Sequence, residues 1–73
     1  MNKRFTAILR KEDNMYVALC PELDIASQGQ TLQEAKANLI EALSLFFECA
    51  SETEIAERLA EDFFITPVEV AVG

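Results

Sequence analysis

The chain has 73 residues, 51% of them apolar and 26% charged, with a net charge of −7. That length bounds it to one domain, and the balance is that of a folding chain, not a disordered one. Two cysteines and no histidine exclude a secreted disulfide framework, a zinc centre and the commonest general base.

The first element in chain order is Phe5 to Arg10, which alternates loosely between apolar and polar and reads as a strand. Lys11-Glu12-Asp13-Asn14 is a turn, because Asp and Asn tolerate the left-handed conformation of tight hairpins. Met15 to Cys20 is a short apolar run rich in strand formers, so the two strands make a hairpin. Pro21 breaks the pattern and pushes Cys20 toward extended backbone. Leu23 to Gln28 forms a third short strand, closed by Gly29.

Thr31-Leu32-Gln33-Glu34 is a helix start, with Thr at the N-cap and Glu three residues on. Leu32, Ala35, Leu39, Ala42, Leu43 and Phe46 follow at helical spacing, flanked by Ile40 and Phe47, and that stripe packs on the sheet. Ser51-Glu52-Thr53-Glu54 repeats the signature and opens a shorter surface helix with Ile55 and Leu59 on its apolar side. In the last segment Val68, Val70 and Val72 alternate with Glu69 and Ala71, which predicts a final strand, with Pro67 placing it at an edge or bulge. The expected fold class is α+β: a three-stranded antiparallel sheet covered by one main helix, with a C-terminal strand returning beside strand 1, in the order β-β-β-α-(α)-β. Residues 1–73 are expected to form one domain with no separate DNA-binding unit.

A domain of this size buries roughly 60% of its unfolded surface and is marginal alone. Cys20 and Cys49 read as reduced, mostly buried thiols that pack as small hydrophobes, which leaves self-association as the expected staple. No signal peptide or apolar run of about 20 residues is visible, so a cytoplasmic location without membrane attachment is expected. Residues 1–11 hold Lys3, Arg4, Arg10 and Lys11 and no acid, while residues 12–73 hold two bases and all thirteen acids. The four bases read as charges that guard a sheet edge against aggregation. The acidic remainder repels phosphate, which disfavours direct nucleic-acid binding, and steers a basic partner in.

The residues offer little catalytic chemistry. A Cys nucleophile without His is poorly activated, and Gly29 and Gly73 cannot make a phosphate-cradling loop. Strands 1 and 2 carry no acid to converge on a metal, and Glu34, Glu41 and Glu48 recur every seven residues along one solvated helix stripe. No catalytic residue, metal or cofactor is expected. The local motif that stands out is Cys20-Pro21-Glu22-Leu23-Asp24, either a rigid turn or an acidic loop facing a basic partner.

The order of pieces from residue 5 to about 48 resembles the HicB-like antitoxin family. Its typical string is a tyrosine-bearing strand (here Tyr16-Val17-Ala18), C-P-D/E-L (Cys20-Pro21-Glu22-Leu23), G-x-T-x-x-E-A (Gly29 to Ala35) and N-hydrophobic-x-E-A (Asn38-Leu39-Ile40-Glu41-Ala42). The resemblance implies a degraded, partial RNase H-like fold without nuclease activity, which pairs with a small basic mRNA-cleaving toxin and forms homodimers or tetramers. Longer members add a DNA-binding unit; here Arg58 is the one base after Lys36, so direct operator contact is not expected.

The expected function is thus a non-enzymatic, antitoxin-like protein-binding module. Glu12, Asp13, Tyr16, Glu22 and Asp24 are the candidate partner-binding residues. The alternatives are an orphan homo-oligomeric regulatory or structural module without a toxin, and a residual nuclease using Asp13 or Asp24.

Overall fold

Short alternating runs and one left-handed turn residue build the sheet. In the computed structural model, which describes residues 3–73, β1 (Ile8–Glu12) and β2 (Met15–Cys20) pair antiparallel with Glu12 opposite Met15. Asp13 and Asn14 are left as a two-residue loop. Such loops need φ > 0 at their first residue, and Asp13 supplies it at φ 53°. β3 (Ile25–Gly29) pairs antiparallel with the other side of β2, so β2 is central and the order is β1-β2-β3.

The first strand starts at Ile8, three residues later than its alternation predicts. Two contacts divert the chain before it: the Phe5 ring stacks on Phe47 at 5.7 Å, and the Thr6 N–H donates to Glu22 Oε2 at 2.9 Å. A backbone donor spent on a side chain cannot serve a ladder.

The helix α1 (Leu32–Cys49) begins where the capping signature places it. Thr31 Oγ1 accepts from the Glu34 N–H at 3.0 Å. Glu34 Oε1 accepts from the Gln30 N–H, one residue before the cap, in place of the reciprocal bond to Thr31. Asn38 Nδ2 donates to the Gln28 carbonyl at 2.8 Å and fixes α1 over β3. The approach is close enough to require a residue without a side chain at position 29. A Cβ there would sit 2.5 Å from the Ala35 nitrogen. The fully buried core is small: Ala18 and Cys20 from β2, Leu23 from the following loop, Ala35 and Leu39 from α1. Phe5, Leu9, Tyr16, Ile25, Leu43, Phe46 and Phe47 pack around it, partly buried. Burying Leu39 contributes about 1.5–3 kcal/mol by apolar area alone.

The second helix, α2 (Glu52–Ala60), is capped by Ser51 Oγ, which accepts from the Glu54 N–H at 3.1 Å, and it buries no side chain completely. Arg58 holds it to the rest: its guanidinium donates to the Leu23 carbonyl and lies 5.3 Å from the Phe46 ring centroid.

Two expectations are corrected. Among the described residues the sheet has three strands, and residues 62–73 form no strand beside β1. Alternating valines favour extended backbone and set which side chains share a face, but they do not specify an edge to pair with. Val68, Val70 and Val72 are 79%, 74% and 92% exposed. Of the two thiols, Cys20 is buried but Cys49 is exposed, because position 49, although in phase with the stripe, is the last residue of α1, ten residues past Leu39, the last fully buried residue of the helix. Among the described residues no helix is long and apolar enough to cross a membrane.

Candidate functional site

The five candidate residues fall into two groups at opposite ends of β2, about 17 Å apart at 3.4 Å per residue. Glu12, Asp13 and Tyr16 lie at the hairpin end. Glu12 pairs with Arg10 across the exposed surface, so part of its charge is answered by its own strand. Asp13 projects from the turn, exposed. Tyr16 sits opposite Lys11 and Gly29 in the register. Its ring packs against the core, with the Lys11 ammonium 6.0 Å from its centroid, so it is a half-buried packing residue with one wet edge and not a free aromatic anchor.

Glu22 and Asp24 lie at the other end, in the loop between β2 and β3. This loop is fixed from several sides. Leu23 is buried and drives the loop's centre into the core. Its carbonyl accepts from Arg58. Glu22 turns inward, accepting from the Thr6 N–H and, at 3.5 Å, from Cys20 Sγ. Burial pushes the Glu22 carboxyl up, but the bonds from Thr6, its own backbone and Cys20 outweigh that and hold it below its ordinary value. Burial likewise pushes the Cys20 thiol up, and the neighbouring Glu22 carboxylate pushes the same way. Asp24 adopts φ 53°, which Asp tolerates better than most side chains, and it is exposed.

The loop therefore presents one carboxylate, Asp24, on a rigid base, while Glu22 is the staple that makes the base rigid. A notch of about 420 Å³ adjoins it, between Pro21, Asp24, Arg58, Glu61 and Phe63. Thr6 and Arg58 hold this loop in place, and neither is marked by a local motif. Thr6 contributes through its backbone, and Arg58 acts across 35 residues of sequence. Among the described residues no three Cys, Asp or Glu side chains converge as metal ligands. Asp13 and Asp24 are separated by the length of β2.

The chain is similar to several bacterial proteins. It is 33% identical over 66 residues to a UPF0150 protein of Helicobacter pylori, covering 89% of this chain and 92% of the relative. It is 38% identical over 73 residues to a UPF0150 protein of Synechocystis, covering 93% of this chain and 87% of the relative. It is 46% identical over 64 residues to a second Synechocystis UPF0150 protein, covering 85% and 88%. No model of a protein family matches the chain, and no solved structure does.

Proposed function

The chain belongs to the UPF0150 family, and from that premise we propose that it is an antitoxin-like binding module of the HicB-like kind, which neutralises a small basic mRNA-cleaving toxin by holding it. The observation that carries this reading is the preorganised acidic loop on an acidic body. Asp24 is presented on a loop whose centre is buried and whose carbonyl and neighbouring carboxylate are already bonded. A loop ordered before binding loses little conformational freedom on binding. The body around it, residues 12–73, carries two bases against thirteen acids, and such a field steers a basic partner in and turns nucleic acid away. Asp13 and Glu12 at the far end of β2 widen the acidic surface. On this reading the domain acts by occupancy, in the cytoplasm, without turnover, metal or cofactor.

The test is co-expression with the small basic protein that co-purifies with the chain from its native cells at low salt. That protein alone should arrest growth and cleave mRNA, and the arrest should be relieved by this chain. A co-purifying protein without ribonuclease activity, or arrest that this chain leaves untouched, would overturn the reading. The second reading, a homo-oligomer without a toxin partner, draws on the uncovered apolar residues of the C-terminal segment.

A further inference from the structure

An 8.2 kDa chain folded as a compact monomer exposes about 4,500 Å²; this one exposes 6105 Å². Its radius of gyration is 14.5 Å, where a compact domain of this length has about 11 Å. The excess surface, about 1,500 Å² by the same scaling, exceeds the roughly 800 Å² that each partner buries in a standard interface. Much of it is apolar and lies in two places.

The first is the segment after α2. Phe64, Ile65, Val68, Val70 and Val72 are all exposed, Phe64 by 85%. The second is a groove of about 780 Å³ between α1, α2 and the residues leading into β1, floored by Phe5, Leu39, Ile40, Leu43 and Phe47 and edged by Lys3, Arg4 and Lys36. The groove opens there because α1 lies mainly over β3 and β2 and barely over β1. Beside it runs the unpaired edge of β1. In a two-residue hairpin with Glu12 opposite Met15, the N–H and C=O groups of Leu9 and Lys11 face away from β2.

We propose that the place beside β1 is filled by residues 65–72 of a second copy, which add to the Leu9–Lys11 edge as a fourth strand and set Val68, Val70 and Val72 over the groove, each copy giving its segment to the other. The backbone fits this role. In extended chain, residues 68, 70 and 72 direct their N–H groups to one edge and residue 67 to the opposite edge. With the valines bonded to β1, the missing donor of Pro67 faces solvent, where an edge strand tolerates it. The charges fit as well. The donated segment and its approach carry Glu61, Asp62 and Glu69 and no base, while the receiving side holds Lys3, Arg4, Arg10 and Lys11. The exchange is reciprocal, so it closes as a two-fold dimer, and it covers both the exposed valines and the open edge, the two features that otherwise invite aggregation.

The experiment measures mass by sedimentation equilibrium, and amide exchange at Leu9 and Lys11, for the full chain and for the double variant Val68→Asp with Val70→Asp. The expected result is a dimer whose Leu9 and Lys11 amides are protected. The variant should dissociate at least about 100-fold more readily, since the dimer must bury four unpaired carboxylates, two from each copy, and it should lose that protection. Its fold is checked by the amides of Ala18 and Cys20, which stay protected because the substituted side chains touch nothing in the core. A monomer at every concentration would overturn the proposal, as would a dimer that survives both substitutions. A monomer whose Leu9 and Lys11 protection depends on the valines would assign the place to the chain's own segment instead.

Discussion

Gly29 and the Glu22–Cys20 pair show how much of this small core rests on single positions. At Gly29 a methyl group would meet backbone at 2.5 Å, the nitrogen of Ala35, and backbone cannot move aside as a flexible side chain can. Gly29→Ala is expected to cost about 1–3 kcal/mol as an overpacked contact, read as a lower denaturant midpoint with an unchanged slope. Glu22 acts through protonation. Its carboxyl titrates below the ordinary value of 4.5 in the folded chain, so the unfolded chain binds its proton first as pH falls. The stabilisation is complete above pH 4.5 and is lost as pH drops through the lower, folded value. Glu22→Gln should therefore flatten the fall in stability below pH 4.5; an unchanged acid limb would remove the Thr6 bond from the account. The two thiols should also separate. Cys49 is exposed, whereas Cys20 is buried, with its thiolate disfavoured by burial and by Glu22. One thiol per folded chain should react quickly with a thiol reagent, and the second only after unfolding. The sequence alone treats these cysteines alike, because both stand in apolar runs; the place of Cys49 at the very end of α1, past the buried core, separates them.

At the scale of elements, the parts legible in the sequence are those whose signals are local. Helix α1 carries its cap, its stripe and its length within 18 residues, and the second strand carries its apolar run within six. Strand β1 is displaced by contacts with Phe47 and Glu22, more than 15 residues away, which no alternation of its own encodes. The final segment fails for a related reason: a period of two specifies which face is apolar, not which edge is available. The Asp24 loop was legible as a motif but not as a geometry, since the inward turn of Glu22 and the reach of Arg58 depend on the folded neighbours. These differences set the local stabilities. Thr31→Ala removes the acceptor for the Glu34 N–H and should cost about 1 kcal/mol of global stability, because α1 forms one side of the core. Helix α2 buries nothing fully and hangs on Arg58. Arg58→Ala should open α2 as a separate unit, with its amides exchanging freely while those of α1 keep their protection. Loss of protection in both helices together would mean that α2 unfolds only with the whole domain.

At the scale of the whole molecule, charge is segregated along the chain more sharply than any structural feature. Four of the six bases gather in the first eleven residues and all thirteen acids lie in the rest, so one molecule offers a basic strand edge and an acidic body. A field of this kind acts before contact, and it acts on the rate of encounter more than on the lifetime of the complex. The acids that matter most for approach to a basic partner are those not already answered within the chain. Glu22 is bonded to Thr6 and Cys20, and Glu12 is paired with Arg10. Asp13 and Asp24 project at either end of β2, both exposed. If the proposed basic toxin is the partner, reversing these two, Asp13→Lys with Asp24→Lys, should slow association with it about tenfold at low salt, with little change in dissociation rate. The difference should shrink as ionic strength rises and the Debye length falls to about 8 Å. Stopped-flow association across a salt series separates the outcomes. An equal loss at every salt concentration, carried by faster dissociation, would make the two carboxylates contact residues of the bound state. No loss at all would move the docking surface elsewhere on the acidic body.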